Sequence, residues 1–231
     1  MTAKSVIAPA RKGRKGMNTQ HEDFDLYEVG GYGAREIGFG NKVGIVSVDF
    51  MVGVTDPREA MGRSPMAQDA VEKTAILLDA ARANSLPIVH CTTAFQPDHS
   101  DMPPWKIACM DDWILGTRIV EIDSRLWRDG DVLVVKKAPS IFFGTHCGSV
   151  LNLHGVDTVI VTGANTSGCI RASVIDSFSL GYRTIVPRDC VYDQGLTAHE
   201  QSLEDVGKRY ADVEDDFDAL LEKVKACNPA D

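Results

Sequence analysis

Five short apolar runs, each bounded by turn-forming residues, recur along the chain with longer amphipathic stretches between them. They are Val43-Gly44-Ile45-Val46-Ser47-Val48-Asp49, Pro87-Ile88-Val89-His90-Cys91, Val132-Leu133-Val134-Val135-Lys136, Thr158-Val159-Ile160-Val161-Thr162 and Thr184-Ile185-Val186-Pro187. Each has the length and composition of a strand. Between the first two, Val71, Ala75, Leu78 and Ala81 fall at helical spacing, which predicts a crossover helix within Ser64 to Asn84. Further helices are predicted from near Thr145, over Thr166 to Leu180 with Gly181 as the stop, over Ala198 to Tyr210 and over Asp215 to Lys225. Strand and helix in alternation predict an α/β fold: a doubly wound, mostly parallel sheet with helices on both faces, in a Rossmann-like three-layer arrangement.

One stretch breaks the alternation. From Ala94 to Asp131 there is no clear strand, and the segment carries Pro97, Pro103, Pro104 and the tryptophans at 105, 113 and 127. Long irregular loops in compact domains are commonly binding loops or lids, although each tryptophan taken singly reads first as packing on the core or at a subunit interface. The chain has 231 residues, of which 44% are hydrophobic, enough for one good core. We expect a single domain over 38–231, preceded by an N-terminal tail and lead-in segment over 1–37.

Charge removes several functions. A net charge of -9 argues against nucleic-acid binding, because phosphate contacts need clustered Lys and Arg. The one basic run, Lys4, Arg11, Lys12, Arg14 and Lys15, precedes the acidic stretch His21 to Asp25 and reads as a solvated tail. No apolar run approaches the roughly 18 residues of a membrane span, and no apolar segment follows the N-terminal charges, so the expectation is a soluble, cytoplasmic protein. The six cysteines, Cys91, Cys109, Cys147, Cys169, Cys190 and Cys227, lack CxxC pairs or Cys/His ligand spacing, which favours reduced thiols over disulfides or structural zinc.

In an open α/β sheet, ligands bind outside the carboxyl ends of the strands, so polar residues closing an apolar strand are candidates for chemistry. Asp49 closes the first run, Lys136 and Lys137 close the third, and Gly163-Ala164-Asn165-Thr166-Ser167-Gly168-Cys169 follows the fourth. Asp49 and Lys136 by themselves read as well as a structural ion pair as a functional one. A cysteine where a Gly-rich loop enters a helix meets free N–H groups and the helix dipole, which favour a thiolate, but such a residue alone is more often a small buried side chain. Together, Asp49, Lys136 and Cys169 make a base, a cation and a nucleophile at one sheet edge.

The same residues carry a resemblance. Val46-Ser47-Val48-Asp49-Phe50, then Lys136 followed by Ser140-Ile141-Phe142-Phe143-Gly144-Thr145, then Thr166-Ser167-Gly168-Cys169-Ile170-Arg171-Ala172-Ser173 resemble the isochorismatase-like cysteine hydrolases, in particular the N-carbamoylsarcosine amidase branch. The likeness runs from about Gly38 to Val213. It implies Asp49 as general base, Cys169 as nucleophile and Lys136 as the cation that stabilises thiolate and intermediate. Lys136 is preferred to Lys137 because it lies four residues before Ser140, as the family's lysine does before its serine, and because neighbours in a strand face opposite ways. The resemblance further implies a cis peptide at Ala164-Asn165 and oxyanion or substrate contacts from Asn165, Thr166, Gln194 and Arg171.

Two departures qualify it. Asn165 stands where many relatives carry Thr. Gln194, in Tyr192-Asp193-Gln194-Gly195, stands where the carbamoylsarcosine branch has an Arg that grips a carboxylate, and a Gln brings no charge. Arg171 or Arg118 is then the expected substitute. The implied activity is hydrolysis of a small amide, ureido or carbamoyl compound with release of ammonia, with maleamate amidase, biuret or ureido hydrolase and lactamase as alternatives in the same family. Vinyl-ether hydrolysis is disfavoured by Cys169, and a non-catalytic binding role by the presence of all three catalytic residues. No organic cofactor is implied. No metal is expected either, because His90 to His99 is poor in ligand spacing and His99 reads as a surface residue. The resemblance implies a homo-oligomer, a dimer or tetramer.

Overall fold

A computed structural model describes residues 26–227. The basic and acidic stretches of the N-terminal tail lie outside the described residues. Seven parallel strands form one sheet: β1 (Val43–Val48), β2 (Ile88–Thr93), β3 (Val132–Lys136), β4 (Thr158–Ala164), β5 (Arg183–Pro187), β6 (Val191–Tyr192) and β7 (Asp212–Glu214). Their order is β3-β2-β1-β4-β5-β7, with β6 paired to β4 beyond the end of β5. The five strands expected from the sequence are all present. β6 and β7, of two and three residues, add to them.

Among the described residues six α-helices accompany the sheet: α1 (Val52–Thr55), α2 (Pro65–Ala83), α3 (Cys147–Leu153), α4 (Arg171–Ser179), α5 (Leu196–Gly207) and α6 (Phe217–Ala226). Side-chain alternation along the strands sorts them onto two faces. Val43 and Ile45 of β1 point into a core shared with Leu77 and Leu78 of α2 and Leu220 and Val224 of α6. Val46 and Val48 point the other way, onto Leu151 of α3, Val174 of α4 and Leu203 of α5. Both layers are closed, so β1 and β4 at the centre are buried along their whole length.

Reversal of strand order occurs between β1 and β4, which pair directly while β2 runs outward on the other side of β1. This is the position at which an open sheet leaves a crevice above its carboxyl edge. The lead-in to β1 is fastened to the domain from Tyr27 onward: the Arg209 guanidinium lies over the rings of Tyr27 and Tyr32, and Asp212 accepts the amides of Ile37 and Gly38. No described helix is long and apolar enough to cross a membrane.

The 94–131 segment contains short 3₁₀ turns and isolated bridges, with no strand or α-helix of its own. Trp113 is 4% exposed and joins the core, Trp105 packs on the same core, and the Trp127 ring lies 5.6 Å from that of buried His90. The tryptophans serve chiefly to seat the loop.

Candidate active site

β1 ends at Val48, and the next residue turns out of the sheet. Asp49 has φ 55°, in the left-handed region that Asp and Asn tolerate better than other side chains, at a cost of about 1–2 kcal/mol. Such conformations persist where surrounding structure enforces them. The Asp49 amide is held by the Cys91 carbonyl of β2, and the side chain is 4% exposed. A carboxylate this buried must be paired.

Its partner comes from two strands away. Lys136, the last residue of β3, is 1% exposed and places Nζ 2.8 Å from Asp49 Oδ2. It also donates to Thr93 Oγ1 at 2.7 Å, to the Ala138 carbonyl at 3.1 Å and to Cys169 Sγ at 3.4 Å. The Thr93 hydroxyl, at the end of β2, donates onward to Asp49 Oδ1 at 3.0 Å, and Cys91 Sγ lies 3.6 Å from that same oxygen. Asp49, Lys136 and Cys169 therefore meet at one sheet edge, and Thr93 joins the ends of β1, β2 and β3.

Lys137 goes the other way, as strand geometry requires. Its ammonium pairs with Asp101 at 2.6 Å, donates to the Ala94 carbonyl and sits 5.5 Å from the centre of the Phe95 ring. Adjacent lysines thus divide the work, one in the buried triad and one on the loop that starts at residue 94.

Two positions shape the approach of the loop that carries Cys169. Gly163 near the end of β4 has φ 125°, and a Cβ there would stand 2.0 Å from the Val48 carbonyl oxygen. Only glycine lets β4 lie this close to β1 where Asp49 leaves it. Beyond it the Ala164-Asn165 peptide is cis, as the resemblance implied. Thr166–Ile170 then forms one π-helical turn before α4 begins at Arg171. The Asn165 carbonyl accepts the amides of Gly168 and Ile170, on either side of Cys169. π-turns are uncommon and recur at functional sites.

Electrostatics set the resting protonation state. Burial and then the Asp49 charge push the Cys169 thiol up to about 12, against the opposing pull of Lys136. Both act against the thiolate that a loop-to-helix junction favours. The junction is a wide π-turn beside a carboxylate instead of an ordinary helix start. Burial works against the Lys136 ammonium, but the adjacent Asp49 charge together with Cys169 and Cys91 outweighs it, so Lys136 keeps its proton above the ordinary lysine range. Burial likewise pushes Cys91 well above the usual thiol range.

The four residues expected to contact substrate part company. Asn165 and Gln194 stay together at the rim: Gln194 Nε2 donates to the Met61 carbonyl at 3.0 Å and lies 3.4 Å from Asn165 Oδ1. Thr166 is 1% exposed and its hydroxyl pairs with His199 Nδ1 at 2.8 Å, inside the domain. Arg171 opens α4 and reaches Asp205 of α5 at 3.4 Å. Arg118 is bound to Asp56. His99 is exposed, with a ring nitrogen 3.0 Å from the Asp111 carbonyl oxygen.

Two residues of the site escaped the sequence reading. Thr93 was missed because β2 reads as ending at Cys91, although the rule of polar residues closing a strand applies equally two positions later. Asp193 is 5% exposed, and its carboxylate accepts the Ser167 amide at 2.6 Å and the Gln194 amide at 2.7 Å. Its carbonyl accepts from Ser64 Oγ at 2.9 Å, so the residue before the α2 N-terminal Pro65 holds the support of the Cys169 loop instead of capping its own helix.

Comparison with known proteins returns the same region. Residues 43–216 match the isochorismatase domain. The maleamate amidohydrolase of Pseudomonas putida is 38% identical over 194 residues, covering 82% of this chain and 91% of that protein. The N-carbamoylsarcosine amidase of an Arthrobacter species is 28% identical over 196 residues, covering 82% and 74%. Among solved structures, a cysteine hydrolase from Pseudomonas syringae pv. phaseolicola superposes with a TM-score of 0.75 at 21% identity, covering 84% of this chain and 97% of that one.

Proposed function

Because this chain belongs to the isochorismatase family and is a hydrolase of non-peptide C–N bonds, we propose that it cleaves a small amide, ureido or carbamoyl compound through a thioester on Cys169. The observation that carries this reading is that one ammonium, Lys136 Nζ, lies 2.8 Å from Asp49 Oδ2 and 3.4 Å from Cys169 Sγ.

Asp49 takes the Cys169 proton as the sulfur attacks the carbonyl carbon. Lys136, within reach of both groups, offsets the negative charge whether it resides on the carboxylate or on sulfur. The tetrahedral oxyanion rests on the backbone N–H groups of Asn165 and Cys169. As the intermediate collapses, Asp49 returns the proton to the departing nitrogen and ammonia leaves. Water activated by Asp49 then cleaves the thioester, freeing the acid and restoring the thiol.

The two relatives named for their substrates frame the choice of compound. The maleamate enzyme shares more of its sequence with this chain than the carbamoylsarcosine enzyme does. Maleamate-like monoamides therefore head the panel, followed by N-carbamoyl amino acids, biuret-like ureas and lactams. Ammonia release is the assay. Cys169→Ala and Cys169→Ser should abolish turnover with the circular dichroism spectrum unchanged, and mass spectrometry should find an acyl adduct on wild-type Cys169 alone. Full turnover in either variant overturns the mechanism.

A further inference from the structure

We propose that Thr93 is a positioning residue of the site: its hydroxyl draws one Lys136 proton away from Cys169 and gives its own to Asp49, so that the resting site keeps a proton on sulfur and its negative charge on the carboxylate. This deepens the amidase reading above and rests on it for its part in turnover.

Lys136 has more acceptors than protons. An ammonium carries three protons and accepts nothing. Within reach of Lys136 Nζ are four acceptors: Thr93 Oγ1 at 2.7 Å, Asp49 Oδ2 at 2.8 Å, the Ala138 carbonyl at 3.1 Å and Cys169 Sγ at 3.4 Å. One of them must go without. Thiol sulfur is the weakest acceptor of the set and lies farthest away, so Cys169 is the one left out. Without the Thr93 hydroxyl, three protons would serve three acceptors, and one would fall to Cys169.

The direction of the Thr93 hydroxyl is fixed by the same chemistry. Because Lys136 can only donate, Thr93 Oγ1 accepts from it, and the single hydroxyl proton is free for Asp49 Oδ1 at 3.0 Å. The other side-chain donor at that oxygen is the Cys91 thiol at 3.6 Å, a weak one. Hydrogen bonds to the ionised form hold a carboxylate charged. Thr93 therefore secures the charge on Asp49 while it occupies Lys136.

The surroundings leave this task to the hydroxyl. Thr93 and Lys136 are each 1% exposed and lie opposite each other in the β2–β3 ladder. The other ionisable groups facing the set are Cys91 of β2, Cys169 beyond β4 and Tyr192 of β6, whose hydroxyl donates to the Val54 carbonyl. Burial pushes both Cys91 and Tyr192 up, so Asp49, Lys136 and Cys169 are the groups among which the hydroxyl can shift charge. Valine has the branched shape of threonine and suits a strand, so Thr93→Val removes the hydroxyl and little else.

The test is the pH profile of Cys169 alkylation by iodoacetamide in the full chain, read by mass spectrometry of the labelled peptide, for wild type, Thr93→Val and Thr93→Ser. Thr93→Val should move the profile to lower pH by about one unit or more, since a hydrogen bond to a charged group is worth that much. Thr93→Ser keeps a hydroxyl and should return the profile to that of wild type. A space-filling role alone would leave the valine profile in place. A Thr93→Val profile that superposes on wild type or moves up, or a Thr93→Ser profile that follows valine, overturns the assignment. If circular dichroism finds Thr93→Val unfolded, Thr93→Ala carries the same expectation. Ammonia release supplies a second arm: the acid limb of kcat/KM should move to higher pH in Thr93→Val and return in Thr93→Ser. An unmoved limb overturns the claim on Asp49. Wild type that releases ammonia from no amide of the panel refutes the amidase reading, while the alkylation profiles still decide the role of Thr93.

Discussion

Lys136→Met tests the electrostatic core of the site directly. Methionine keeps most of the stem and removes the ammonium that Asp49, Thr93, Ala138 and Cys169 share. At 2.8 Å and an effective dielectric of about 20, the lost attraction to Asp49 is about 6 kcal/mol. Part of it is offset because the ammonium no longer has to be buried, so the expected net loss of stability is about 3–5 kcal/mol, the range for a buried pair that loses one partner. Urea unfolding at neutral pH measures it. The informative control is the double variant Asp49→Asn with Lys136→Met, in which neither charge is left alone. It should recover most of the deficit, with a coupling of about 2 kcal/mol or more in the cycle. A Lys136→Met variant within about 1 kcal/mol of wild type, or a double variant destabilised by the sum of the single effects, would refute the account of a tightly coupled pair.

Further outcomes follow from the neighbouring geometry. Alkylation of Cys169 by iodoacetamide in the free enzyme should be slow at neutral pH and still climbing through the alkaline range, because the thiol, held up to about 12 chiefly by burial, is neutral below that value. A plateau near neutrality, seen by mass spectrometry of the labelled peptide, would contradict it. Asp193→Ala removes the acceptor for two backbone amides and should cost about 3 kcal/mol in urea unfolding. It should also lower kcat through a looser nucleophile loop, and unchanged kcat would show that the loop holds itself.

Much of this was legible in the chain because buried parallel strands announce themselves as apolar runs. A polar residue that ends such a run lies at the carboxyl edge by construction, which is how Asp49 and Lys136 came to notice. The same reading lost Thr93 because β-branched threonines at the end of β2 look like either more strand or the start of a loop. β6 and β7 are too short to show a period. Thr166 and Arg171 entered through the resemblance alone, and their partners His199 and Asp205 both lie on α5, distant in the chain. Asp193 lay in a turn sequence whose job depends on contacts with Ser64 and Ser167, distant in the chain, which no local pattern encodes.

A neutral thiol beside a carboxylate and an ammonium has a consequence for proton inventory. At rest the three groups sum to zero charge. In the proposed mechanism, after attack, with the proton on Asp49 and the oxyanion on the adduct, they and the adduct would still sum to zero, and they would do so again in the thioester once ammonia had carried the proton off. On that mechanism the set exchanges no net charge with solvent while bonds are made and broken, and the interior of the domain, which would resist any change of charge, is never asked to accept one.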